Sequence, residues 1–309
     1  MPRTNRRTAI RAVETWAATQ SGLFTLAEAE SFRLTRHLVA YHARPGGRWE
    51  RVLPAVYQLA ERAPDPHRLM LAAQLWAGPE AVLSHRAAAL ILGLDGVSDP
   101  RPELWSPNGK RTGGVTVHSG NVPASDITTT GQLRHTKVLR TVLDLARVFD
   151  DDTLELVVES ALRRDPRWER ELGKAAISGR PGCRRLQRVL ARRDPGVPPT
   201  ESELETRYIQ LLRTIDIPSP VRQYRVMDDK HHVLGRLDLC WPEARLWVEL
   251  DGKAWHDCPD ALYRDRQRQN DIVGELQWSP LRFTWRDVVS DASATAAQTE
   301  RTYRRRMQS

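Results

Sequence analysis

The sequence predicts a mixed α/β protein, α+β overall, built from more than one domain. Three observations carry this. At 309 residues the chain exceeds the usual size of a single domain. Apolar residues recur at helical spacing in some stretches and alternate as in strands in others. The segment DPGVPPT, residues 194–200, puts three prolines and a glycine into seven residues and is the best domain boundary. The expected division is 1–60, 61–150, a basic helical connector at 151–199, and 200–309.

In the first region Ile10, Val13 and Ala17 recur at helical spacing, and Gly22 breaks the pattern. TLAEAESF reads as a second short helix with Thr25 as N-cap. RLTRHLVAYHAR, residues 33–44, reads as a third helix carrying Arg33, Arg36, His37 and Arg44. Pro45-Gly46-Gly47 is a turn, and RWERVLPAVYQL alternates like a two-stranded wing bearing Arg48 and Arg51. Three helices and a hairpin outline a winged helix-turn-helix, whose third helix enters the major groove. Arg33, Arg36, Arg48 and Arg51 are then the candidate DNA contacts. The competing reading is a helical module that touches only protein.

Region 61–150 reads as a small α/β unit. HRLMLAAQLWAG and SHRAAALILGL are alanine-rich helices, and TKVLRTVLDLARVF is an amphipathic one. ELWSP and GGVTVHSG read as short strands separated by an Asn108-Gly109 turn. Ser84 beside His85 invites a nucleophile–base reading. No glycine loop accompanies them to form an oxyanion hole, so Ser84 is expected to cap a helix. His118 and His135 are expected to be structural or surface residues. In the connector, VVESALRRDPRWERELGKAA is helical but interrupted at Pro166. SGRPGCRRLQRVLARR is basic, fitting either a phosphate backbone or a solvated helix face.

The densest chemistry lies in RLDLCWPEARLWVELDGKAWH, residues 236–256. Asp238 stands in one apolar run, a Pro-Glu-Ala turn follows, and a second run ends at Gly252. On that second strand Leu246, Val248 and Leu250 take one face and Trp247, Glu249 and Asp251 the other, because strand side chains alternate. Three carboxylates brought together repel one another unless a cation sits among them, and oxygen-only ligands suit Mg²⁺ or Mn²⁺. His256 follows as a proton carrier. The spacing alone leaves a solvated polar sheet face equally open.

Composition bounds the classes. Hydrophobic content of 40% with 28% charged residues fits a soluble globular protein. No run approaches the apolar length of a transmembrane helix, and the basic N-terminus lacks a signal peptide's apolar core, so a cytoplasmic protein without membrane contact is expected. Cys183, Cys240 and Cys258 suggest neither a disulfide framework nor a zinc site. The net charge of +8 is uneven: residues 200–309 hold 17 basic and 18 acidic residues, the remainder 30 and 21. A basic front part attracts phosphates. The competing explanation is an arginine-rich composition throughout.

The stretch from Glu201 to Val289 resembles the very-short-patch-repair endonuclease-like branch of the PD-(D/E)xK nucleases. ESELETRYIQLL is similar to the opening helix, with Glu205 at its acidic position. Gln223 in SPVRQYRV matches the glutamine before the first strand, Asp238 the first metal ligand, Glu249 and Asp251 the paired residues of the second strand. His256 matches the histidine after it, RDRQRQ supplies Asp265, Arg266 and Arg268, and QWSPLRFTWRDV supplies the closing strand and Arg282. The resemblance implies a restriction-endonuclease-like mixed sheet flanked by helices, and a Mg²⁺- or Mn²⁺-dependent DNA endonuclease serving defence or repair. It implies metal held by Asp238, Glu249, Asp251 and the carbonyl of Leu250. Glu205 and His256 join those carboxylates in catalysis, Gln223, Arg266, Arg268 and Arg282 meet phosphate, and Asp265 orients an arginine. Asp251 replaces the lysine of the name-giving motif, Lys253 lies beyond Gly252, and Gln277 replaces a glycine. GLFTLAEA through AVYQL, with SHRAA and RTVLDLA, is similar to abortive-infection-type antitoxins. Duplex DNA is the implied partner, with a homodimer or a protein from a defence or toxin–antitoxin operon as further associations. The alternative is a DNA-binding regulator or antitoxin that does not cut, its nuclease-like part serving as scaffold. A third reading is an RNA-directed nuclease.

Overall fold

The computed structural model describes residues 3–60, 63–194, 196–227, 232–251, 272–274 and 276–308. The chain is mixed α/β and divides into two compact units, 1–191 and 192–309. Among the described residues the strands form three sheets, ordered β1-β3-β2, β6-β5-β4-β8-β7 and β12-β11-β10-β9. Among the described residues, no helix is long and apolar enough to cross a membrane.

The first unit opens with α1 (Arg3–Thr19), β1 (Leu23–Thr25), α2 (Leu26–Ser31), α3 (Arg36–His42), β2 (Trp49–Leu53) and β3 (Val56–Leu59). Ile10, Val13 and Ala17 of α1 are buried with Phe24, Val39 and Trp49. Phe24 meets the Trp49 ring edge-on at 5.0 Å. Thr25 caps α2 as expected: its hydroxyl accepts from Glu28 N at 3.1 Å, while Glu28 Oε2 accepts from Thr25 N at 2.7 Å. The other Glu28 oxygen accepts from Trp16 Nε1 and Gln20 Nε2, tying the cap to α1. Thr25→Ala should therefore cost about 1 kcal/mol of stability. Urea denaturation reads this, and an unchanged midpoint would refute the cap's contribution.

Two details differ from expectation. The wing strands pair with β1 into a three-stranded antiparallel sheet rather than standing alone. Arg33 is not on the third helix. Thr35 accepts from Leu38 N and starts α3 at Arg36, leaving Arg33 in the preceding turn at φ 66°.

The chain continues through α4 (Pro66–Ala77), β4 (Val82–Leu83), α5 (His85–Ile91), β5 (Glu103–Ser106), β6 (Thr116–Ser119), β7 (Ile127–Thr130), β8 (Leu133–Thr136) and α6 (Val138–Leu145). Asp65 caps α4 and Pro66 occupies its first turn, where a missing N–H costs nothing. Leu23, Leu53 and Val56 share one core with Met70, Leu83, Leu104 and Leu133. Although an Asn108-Gly109 turn lies between them, β5 and β6 run parallel, with Trp105 opposite His118. The chain between must reverse twice, so Asn108-Gly109 closes no hairpin. Helices α7 (Asp151–Arg164), α8 (Trp168–Ala176) and α9 (Cys183–Leu190) bury their apolar faces with α6. Pro166 falls between α7 and α8, where it ends no ladder.

The second unit holds α10 (Glu203–Leu212), β9 (Val221–Met227), β10 (Val233–Trp241), β11 (Leu246–Asp251), β12 (Ser279–Thr284), α11 (Trp285–Val289) and α12 (Ala292–Arg306). Strands β9, β10 and β11 pair antiparallel, and β12 joins β11 in parallel. One core holds Leu239, Trp241, Leu246 and Val248 against Leu204, Tyr208 and Leu212 of α10. A second holds Cys240 and Trp247 with Ile272 and Trp278. The alternation of LWVELD is thus realised, with apolar side chains buried on both faces.

Candidate metal centre and nucleic-acid surface

Strands β10 and β11 pair Leu239 with Val248 and Cys240 with Trp247. One step further, that register sets Asp238 directly opposite Glu249. On the other edge of β10, Leu237 pairs with Tyr224 and Leu239 with Arg222, which brackets Asp238 opposite Gln223. Glu249 in turn pairs with Arg282 across the parallel ladder. Four strands therefore contribute one transverse row: Gln223, Asp238, Glu249, Arg282. Residues directly opposite on paired strands have Cβ atoms about 5 Å apart. Asp251 lies two residues past Glu249 at the exposed end of β11, and Leu250 between them packs partly against the α10 core.

The row is electrostatically uneven. Arg282 Nη2 meets Glu249 Oε2 at 2.8 Å. Gln223 sits at φ 53°, and its buried side-chain amide finds no hydrogen-bond partner among the described residues. A left-handed backbone at a non-glycine residue is strained and marks a position held by its surroundings.

Glu205 lies in the first turn of α10, whose start is fixed by Ser202 accepting from Glu205 N at 3.0 Å. Its carboxylate is buried and accepts from Glu201 N at 2.6 Å. Arg222 Nε stands 3.5 Å from Glu205 Oε1, an ionic contact rather than a formed hydrogen bond. Burial pushes the Glu205 carboxyl up to about 6, against the pull of the Glu201 N–H and of Arg222; the nearby Asp238 charge adds to the rise. Glu205 is thus close enough to feel Asp238.

That shift has a signed consequence. Between pH 4.5, the ordinary value, and about 6 the folded protein keeps a proton that the unfolded chain has released. Stability then falls as pH rises through this window. Glu205→Gln should remove a loss on the order of 2 kcal/mol, so that variant and wild type diverge from pH 4.5 to 7. Urea unfolding at several pH values in EDTA checks this, and parallel profiles would refute it.

His256, Asp265, Arg266 and Arg268 lie outside the described residues. In the first unit, Arg33, Arg36, Arg48 and Arg51 are all exposed. Arg48 pairs loosely with Glu14 at 3.4 Å. Arg33 and His37 line a groove of about 340 Å³ with Arg6, Thr35, Leu38 and Tyr41. A further arginine, Arg44, lies 4.1 Å over the Tyr41 ring. This groove places cations beside an aromatic side chain at the start of α3, a combination that suits a phosphate backbone.

Sequence reasoning missed a second cluster. Ser84 stands at the N-cap of α5, but its hydroxyl caps nothing and meets His85 Nδ1 at 2.9 Å instead. His85, Glu103 and His118 gather there, from one helix and two parallel strands. His135 is buried, bonded to Thr130 and to the Thr136 carbonyl.

No family model matches the chain. Two uncharacterised proteins of Mycobacterium tuberculosis, one from each of two strains, are each 27% identical to it over 272 residues. The alignment covers 87% of this chain and 97% of either relative, so the likeness runs through both units.

Proposed function

We propose that the chain is a metal-dependent DNA endonuclease with a DNA-binding N-terminal region. The observation that carries this reading is the row Gln223–Asp238–Glu249–Arg282, with Asp251 beyond it and Glu205 within electrostatic reach. Carboxylates directly opposite on neighbouring strands repel. Oxygen donors of this kind fit Mg²⁺ or Mn²⁺, so Asp238, Glu249, Asp251 and the Leu250 carbonyl would hold the ion. An ion held there would supply Lewis acidity, polarising the scissile phosphate and lowering the pKa of water at the site.

The chain's own residues supply the rest. Arg282 holds Glu249 in place and brings positive charge to where negative charge would build on the phosphate oxygens during cleavage. Glu205, buried within electrostatic reach of Asp238, is placed to orient water at the site. The Gln223 amide offers a donor and an acceptor to the phosphate or to water. Arg6, Arg33, Arg36, Arg48 and Arg51 take the DNA backbone in the first unit.

A second reading, a regulator or antitoxin that binds DNA without cutting, is favoured by the Glu249–Arg282 pair, which neutralises the carboxylate without a cation. One experiment separates them: supercoiled plasmid incubated with the purified protein and Mg²⁺, Mn²⁺ or EDTA. Nicking that needs the metal and stops with EDTA supports the nuclease. DNA binding without cleavage of duplex, single-stranded DNA or RNA under either metal selects the regulator.

A further inference from the structure

The cluster around His85 is independent of the acidic row and has a different donor chemistry. Its ligand-capable atoms lie within 4.8 Å of one another. His85 is 0% exposed and Glu103 2%. The side chain of His118 is 22% exposed. Glu103 Oε2 accepts from both the Arg86 N–H and its guanidinium at 3.2 Å, and Oε1 meets His118 Nε2 at 2.8 Å. The two imidazoles stack with centroids 3.8 Å apart, and the Trp105 ring touches both.

A buried hydrogen-bond network explains all of this except one atom. His85 Nε2 is buried and has no hydrogen-bond partner among the described residues. Its other nitrogen is committed to Ser84 Oγ. If Ser84 donates to Nδ1, Nε2 carries a proton with no acceptor. If Nδ1 donates to Ser84, Nε2 presents a lone pair with no donor. Either state leaves a buried polar atom unsatisfied, which native interiors avoid. The second state is the arrangement of a metal-bound histidine, whose far nitrogen is fixed by an outer hydrogen bond. The backbone agrees: His85 is held at φ 47°, a strained setting for a side chain that only packs.

We propose that His85 Nε2, His118 and Glu103 form a binding site for a transition metal of the Zn²⁺ class. Two imidazoles and a carboxylate favour Zn²⁺ over Mg²⁺, and three protein ligands leave a fourth position for water or an incoming ligand. Because the rings are stacked, one ion takes both only after His118 turns about its outer torsion. Such a turn breaks the contact between His118 Nε2 and Glu103 Oε1, which frees Oε1 as the third donor. Arg86 keeps hold of Oε2 and so orients the carboxylate.

The test uses the full-length, untagged chain, stripped with EDTA and titrated with Zn²⁺ under excess Mg²⁺ by calorimetry. The expected result is one Zn²⁺ per chain, with Co²⁺ giving the visible bands of a four-coordinate site. His85→Gln and His118→Gln should abolish binding. Ser84→Ala should weaken it about 10–100-fold. Asp238→Ala should leave it unchanged, which separates this site from the acidic row. If His85→Gln does not fold, the partly exposed His118→Gln decides. No Zn²⁺ bound by the wild type, or unchanged Zn²⁺ affinity in folded His118→Gln, overturns the proposal.

Discussion

Asp238→Ala and Glu249→Ala are expected to abolish metal-dependent nicking of supercoiled plasmid while leaving affinity for duplex unchanged. The two residues stand opposite each other across β10 and β11, and on the proposed reading each would supply an oxygen that the other cannot replace. Charge stabilisation by a bound cation is worth several kcal/mol at the transition state. At 1.36 kcal/mol per factor of ten, its loss lowers the rate on the order of 10³-fold. Both side chains are only partly buried, so the fold should tolerate the change. Glu249→Ala also removes the carboxylate that Arg282 meets at 2.8 Å, so Arg282→Ala serves as a comparison. Equal nicking by Asp238→Ala and wild type would reject the site outright.

Steep salt dependence of duplex binding is the second large effect. Arg6, Arg33, Arg36, Arg48 and Arg51 are exposed on one small helical and three-stranded assembly. Each phosphate they neutralise releases counterions, so the logarithm of affinity falls with slope about −0.9 per contact against the logarithm of salt. Arg36→Ala or Arg51→Ala should each reduce that slope by about 1. Fluorescence anisotropy on the full-length Asp238→Ala protein avoids cleavage during the measurement. Binding that ignores salt, or none at all, points to a surface for protein rather than DNA.

Much of this geometry was legible because strand chemistry is local. The alternation in LWVELD fixes which residues share a face, and the Pro-Glu-Ala turn brings Asp238 back beside Glu249. Thr25 was legible as a cap because a threonine directly precedes the short helical run, and the structure adds Glu28 as its reciprocal partner. Register is less local. That Gln223 and Arg282 complete the row depends on pairing with strands 15 residues before Asp238 and 33 after Glu249, and no short-range pattern sets it.

The His85 cluster was illegible for the same reason, more severely. His85, Glu103 and His118 come from a helix start and two strands that pair in parallel, where sequence suggested a turn between neighbours. Ser84 looked like a cap because serine before an alanine-rich helix usually is one. Its hydroxyl went to the imidazole beside it, a choice that only the crowded site dictates. Arg33 moved off its helix through Thr35, a competing cap two residues on.

The parallel β12 has a consequence for biosynthesis. Residues 279–284 leave the ribosome well after β11, and they deliver Arg282, the fourth member of the row. Until they emerge, β11 has hydrogen-bonding partners on one side only. Its sequence, LWVELD, then forms an open edge with an indole and several aliphatic side chains, a shape that recruits other strands. A message truncated before Ser279 should therefore yield an insoluble and inert fragment rather than a partly working one.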